Sequence, residues 1–82
     1  MVKVKFFAAL RERLNCAEVE LPSRADDTVA KIRERLVEQQ PSWQHELLAN
    51  DILCAKNFTF TDASARVQSG DELAFFPPVT GG

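Results

Sequence analysis

The chain has 82 residues, with 10 Lys and Arg against 12 Asp and Glu and a formal net charge of −2. That length suits one domain with one modest core, and 45% apolar content suffices to build it. The scattered basic residues offer no cationic stripe for nucleic acid, Met1-Val2-Lys3-Val4-Lys5 alternates unlike a signal peptide, and no stretch approaches membrane-spanning length, so neither a nucleic-acid nor a membrane partner is expected.

Val2, Val4 and Phe6 alternate with Lys3, Lys5 and Phe7, which predicts a strand with one buried face. Residues 8–14 (AALRERL) are strong helix formers and predict a short helical turn. Ala17, Val19 and Leu21 alternate with Glu18 and Glu20 in a second strand, which Pro22-Ser23 ends. Asp26, Asp27 or Thr28 is placed to cap the main helix. In that helix Val29, Ile32, Leu36 and Val37 face the core, while Lys31, Glu34, Arg35 and Glu38 turn outward. Pro41 stops it and opens a short helix carrying Trp43, Leu47 and Leu48. After the Asn50-Asp51 turn, residues 52–55 and 58–60 read as strands around Lys56-Asn57. Residues 69–72 turn again, and Leu73 to Phe76 forms the last strand, ended by Pro77-Pro78 because proline cannot donate to a ladder. One long helix covering one face of a mixed sheet predicts an α+β fold, the β-grasp arrangement of ubiquitin-like proteins. In that arrangement the first and last strands lie parallel at the sheet centre. Residues 1–78 are assigned to this domain and 79–82 to a flexible C-terminal tail.

If Val2, Val4 and Phe6 face the helix, Phe7 faces outward. Leu73 and Phe75 are the expected core pair of the last strand, which places Phe76 outside beside Phe7. Two exposed aromatics near the tail suggest a docking patch. The plainer alternatives are that Phe76 packs on Pro77 or Pro78, or that the 8–14 turn covers Phe7.

The tail is the most informative segment. Pro77 and Pro78 hold the chain extended, and the six residues from Pro77 to Gly82 span roughly 20 Å when extended. Gly81 and Gly82 lack Cβ atoms and fit a channel too narrow for other residues. A carboxylate is a poor electrophile, so an enzyme that uses it must first activate it, typically by adenylation with ATP. The tail therefore reads as a substrate for another protein, against the plain alternative of a frayed chain end.

Little else suggests chemistry. His45 is the one histidine, and Gly70 stands alone without a phosphate-cradling pattern. Cys16 and Cys54 are too few and too far apart for a metal or redox motif, and free thiols in a reducing cytosol are expected. The chain lacks the parts of an autonomous enzyme.

Residues 70–82 (GDELAFFPPVTGG) closely resemble the small, sulfur-carrier subunits of molybdopterin synthases, as does the opening Val2 to Ala8 followed by Arg11-Glu12. The resemblance in length and element order covers the whole chain; the tail is its specific part. It implies that Gly82 is adenylated by an activating enzyme using ATP, and that a sulfur donor then converts it to a thiocarboxylate. With the residue reading above, Gly81 is expected to fit the channel, and Phe7, Phe76, Pro77, Pro78, Val79 and Thr80 are expected to meet the partner. The large synthase subunit would receive the tail, and the sulfur would pass to cyclic pyranopterin monophosphate to build the dithiolene of molybdopterin. A cytoplasmic heterotetramer is implied, with a small subunit at each end of a large-subunit pair and no cofactor bound by this chain. Two other readings share the Gly-Gly end: a thiamine-thiazole sulfur carrier, against which Phe75-Phe76-Pro77-Pro78 argues, and a ubiquitin-like protein modifier joined to target lysines through Gly82.

Overall fold

The computed structural model of the protein describes residues 1–78. The first strand, β1 (Val2–Phe6), shows the two faces that its alternation predicts: Val2, Val4 and Phe6 are buried, and Lys3 and Lys5 are half-buried. Helix α1 (Ala8–Leu14) buries Leu10 and Leu14. It stops where Asn15 takes left-handed backbone at φ 53, its N–H donating to the carbonyls of Arg11 and Glu12. Strand β2 (Glu18–Leu21) returns antiparallel to β1. Strands β3 (Leu53–Lys56), β4 (Thr59–Thr61) and β5 (Glu72–Phe76) complete a sheet in the order β2-β1-β5-β3-β4 among the described residues. β1 and β5 pair in parallel at its centre, as the β-grasp reading requires. Parallel neighbours need a long crossover, and the main helix lies within it.

That helix, α2 (Val29–Gln39), takes its N-cap from Thr28, whose Oγ1 accepts the Lys31 N–H at 3.2 Å. The N–H groups of Val29 and Ala30 donate to the Ala65 and Ala63 carbonyls, which occupies further donors of the first turn. Val29, Ile32 and Leu36 are buried in the core that β1 and β5 share; Val37 is only partly buried. Each large apolar side chain so buried contributes about 1.5–3 kcal/mol. Phe6 and Phe75 stack across the central strands at 6.3 Å, and Trp43 meets Phe6 edge-on at 5.4 Å.

One expectation about this region is corrected, and the choice of cap among Asp26, Asp27 and Thr28 falls to Thr28. Arg35 does not face solvent. It is buried, donating to the Pro22 carbonyl at 3.0 Å and to Asp27 Oδ1. Asp27 is not the cap; its other carboxylate oxygen accepts the Arg24 N–H at 2.8 Å. The pair ties the β2–α2 connection to α2, and no buried side-chain polar atom among the described residues lacks a partner. Burial acts to raise the Asp27 carboxyl, but the Arg24 and Arg35 hydrogen bonds and guanidinium charges outweigh it, leaving its pKa below the ordinary carboxylate value. Leu48 also departs from expectation. Pro41–Trp43 is a 3-10 turn and helix α3 (Gln44–Leu47) ends before Leu48, which is exposed while Leu47 is buried. Arg33 donates to the Leu47 and Ala49 carbonyls, holding this end of α3 against α2. No helix among the described residues is long and apolar enough to cross a membrane.

Candidate functional site

In the chain the Gly-Gly end follows β5 and Pro77-Pro78, so the surroundings of that strand define the site. Leu73 and Phe75 are fully buried; Ala74 and Phe76 lie on the sheet face away from α2. The Phe7 N–H donates to the Phe75 carbonyl at 3.1 Å, extending the β1–β5 ladder past the Phe6–Phe75 pair. That extra rung puts Phe7 level with Phe76 at the exit end, where Phe7 is 42% exposed. The chain then turns sharply into α1 through Ala8, at φ 55, an uncommon conformation for a residue with a Cβ.

Phe76 is half-buried, and its ring meets Phe60 at 5.7 Å, across the sheet from Phe7. Phe7 and Phe76 form no ring pair among the described residues; Phe7 lies on the β1 side of β5, and Phe76 turns to Phe60 on the β3–β4 side. Register explains the contact with Phe60. Leu53 pairs with Phe76, while Ala55 pairs with both Ala74 and Phe60. Two alanines leave the ground between Phe60 and Phe76 low, so the rings close over it. The alternation alone did not mark Leu53 and Phe60 as outward-facing. The strands expected at 52–55 and 58–60 around Lys56-Asn57 are corrected by one residue: Lys56 pairs with Thr59, so Asn57-Phe58 makes the connection, fixes the β3–β4 register and sends Phe60 to the same side as Ala55.

The outer face is thus divided. Over β2 and β1 it is charged, with Lys3 4.0 Å from Glu18 and Lys5 3.7 Å from Glu72. Exposed pairs of this kind contribute well under about 1 kcal/mol. Over β3, β4 and the exit half of β5, beyond Glu72, it is apolar, formed by Phe76, Ala74, Leu53, Ala55 and Phe60. Pro77 and Pro78 follow β5 directly and are half-buried. The roles expected of Val79, Thr80, Gly81 and Gly82 fall on positions outside the described residues.

Both thiols lie near the exit end of the sheet, Cys54 opposite Phe75 and Cys16 next to Ala17, whose carbonyl accepts the Phe6 N–H. Cys54 is buried beside Phe75 in the β3–β5 ladder, and burial pushes its thiol up to about 11, with Arg33 and a backbone bond opposing only in part. At neutral pH it stays protonated and is a poor nucleophile. Cys16 is half-buried, with Sγ 3.5 Å from the Glu18 carbonyl. His45 is exposed, and no group of three or more His, Cys, Asp or Glu among the described residues is placed to hold a metal.

A β-grasp sheet with an apolar outer face, whose central strand runs through two prolines toward Gly81-Gly82, defines a ubiquitin-like carrier domain. The chain belongs to the ThiS family, which it matches over residues 4–82. It is 39% identical, over the full length of both chains, to the molybdopterin synthase sulfur carrier subunit of Haemophilus influenzae. In structure it is similar to SAMP1 of Haloferax volcanii, with a TM-score of 0.85, 30% identity, and coverage of 99% of this chain and 98% of the other. The same fold occurs in a protein–protein complex of subunits 1 and 2 of the molybdopterin-converting factor from Helicobacter pylori, with a TM-score of 0.68, 21% identity and coverage of 99% and 97%.

Proposed function

We propose that this chain is the sulfur-carrier subunit of a molybdopterin synthase, acting in the cytoplasm in molybdenum cofactor biosynthesis. The observation that carries the reading is the full-length likeness to a relative of that name, at 39% identity. The exit geometry supports it: the strand that leads to the Gly-Gly end is the buried centre of the sheet, with an apolar face beside it. In this reading the Gly82 carboxylate attacks the α-phosphorus of ATP in an activating enzyme, and pyrophosphate leaves. Sulfur from a donor then displaces AMP, leaving a thiocarboxylate. The large subunit takes in the tail, Gly81 passing its narrowest point, and the sulfur moves to cyclic pyranopterin monophosphate. Each product needs two sulfurs, which suits a heterotetramer with a carrier at each end. The chain itself binds no cofactor. Phe7, Phe76 and the Pro77–Thr80 segment form its contact with the large subunit.

The resemblance to SAMP1, a small archaeal modifier protein, favours one second reading, conjugation through Gly82 to lysines of other proteins. Intact-mass analysis of the chain purified from its native cells, alongside a blot of the lysate, separates the two. A thiocarboxylate on Gly82, a mass gain of sulfur for oxygen, with co-purifying large subunit is the expected result. Isopeptide-linked ladders without a thiocarboxylate would replace the carrier reading with the modifier one.

A further inference from the structure

Two residues before Phe60 the chain carries another exposed aromatic, Phe58. Lys56 pairs with Thr59, so Asn57 and Phe58 alone turn the β3–β4 hairpin. Both are left-handed, at φ 49 and φ 69, as the turns favoured in two-residue hairpins require. Asn suits the first position. The second ordinarily takes glycine, and a bulky residue there carries a backbone cost. The turn is nonetheless pinned. The Asn57 N–H donates to the Glu72 carbonyl at 2.8 Å, the Glu72 N–H donates to Asn57 Oδ1 at 3.0 Å, and Asn57 Nδ2 donates to Asp71 Oδ1 at 3.0 Å. On this fixed turn the Phe58 side chain is 90% exposed, and Phe60 beside it is 73% exposed. A ring so exposed adds almost nothing to the core, and glycine would serve the turn better. Folding alone therefore does not account for Phe58.

We infer that Phe58 is an aromatic anchor for the large synthase subunit, at the end of the docking face farthest from the tail; the inference rests on the sulfur-carrier reading above. Proximity supports it. Phe58 is two residues from Phe60, whose ring meets Phe76 at the strand exit. From Glu72, level with the tip, to Phe76 is four residues of strand, about 13 Å. A protein holding the tail and covering about 800 Å² of this face has a footprint nearly 30 Å across and reaches the tip. A pre-ordered aromatic at low conformational cost is the usual form of an interface hot spot. The large subunit is the fitting occupant because, in the sulfur-carrier reading, it takes in the tail beside Phe76, whose ring meets Phe60 next to the hairpin tip.

The test measures affinity of the full chain for the large subunit and, separately, for the activating enzyme, by calorimetry. Phe58→Gly and Phe58→Asn both tolerate left-handed backbone and both remove the ring. Each is expected to bind the large subunit at least about tenfold more weakly. Neither is expected to lower the midpoint of thermal unfolding, because the ring packs on nothing. Unchanged affinity for the large subunit, with the parent chain binding tightly, overturns the anchor and leaves the sulfur-carrier reading intact. So does weakened binding to the activating enzyme alone, or loss of self-association alone. A lowered unfolding midpoint assigns Phe58 to the fold and overturns the anchor too. No binding of the parent chain to the large subunit overturns both.

Discussion

Asp27 and Arg35 form the one buried ion pair among the described residues, and its two members carry unequal risk. Asp27→Asn leaves a buried guanidinium without its counter-charge and is expected to cost about 3 kcal/mol at pH 7. The pH dependence follows from the lowered carboxyl. Between its folded value and the ordinary ~3.9, the unfolded chain holds the proton and the folded chain does not. Stability therefore rises with pH through that window, is fully present above it, and is lost as pH falls. Urea unfolding of parent and Asp27→Asn from pH 7 to pH 2 should show the two curves converging at the acid end. Phe75 and Phe76 give a second contrast. Phe75→Ala should cost about 3–5 kcal/mol because Phe75 is fully buried. Phe76→Ala removes a half-buried ring that meets Phe60, so it should cost far less stability and act mainly on large-subunit binding. Equal losses of stability with unchanged affinity would overturn that division. Arg35 shows what residue type conceals: its position on α2 read as outward because its partners, Asp27 and the Pro22 carbonyl, come from outside the helix.

Among the elements, the β3–β4 hairpin is held by Asn57 more than by its own three-residue strand. Asn57→Ala loses two side-chain hydrogen bonds and places a Cβ residue at φ 49 without compensation. A loss of about 1–2 kcal/mol is expected. Amide exchange at Glu72 and in β4 should quicken with it. The strand cysteine gives another test. A Cys16→Ser, Cys54→Ala double variant should still accept sulfur on its tail and deliver it, since the Cys54 thiol is buried and stays protonated and the sulfur rides on the Gly82 carboxyl. Loss of transfer in a folded variant would mean that a thiol takes part. Most elements were legible in the sequence because period-two alternation in β1 and β5 and the spacing of Val29, Ile32 and Leu36 leave one way to bury each face. The hairpin was less legible. In three residues alternation says little, and Phe60 faces outward while Thr59 and Thr61 take the other side, the reverse of what polarity suggests. The capping oxygen was equally open: Asp26, Asp27 and Thr28 are chemically competent, and only the inward turn of Asp27 selects Thr28.

For the whole molecule, the sulfur-carrier reading gives the fold and the terminus separate jobs. Deleting Gly82 is expected to leave the unfolding midpoint unchanged and abolish product formation. The carboxylate then stops ~3.5 Å short, and misplacement by ~1 Å costs ~100-fold in rate. Gly81→Val keeps the reach but brings a β-branched side chain to the channel. It should fail at adenylation, read by ATP–pyrophosphate exchange, or at insertion, read by product formed from a prepared thiocarboxylate. Near-normal product from the Gly82 deletion would remove the sulfur-carrier reading. The parallel pairing of β1 with β5 has a mechanical consequence for such a carrier. The amino terminus is fastened at one end of the sheet, where Met1 donates to Ser69 Oγ at 3.0 Å, and Pro77 leaves β5 at the other. A pull on the tail runs lengthwise along β5, and the ladders to β1 and β3 on its two flanks share the load in shear instead of opening rung by rung. A partner can haul the chain end into a tight passage and let it go again without unravelling the body that delivered it.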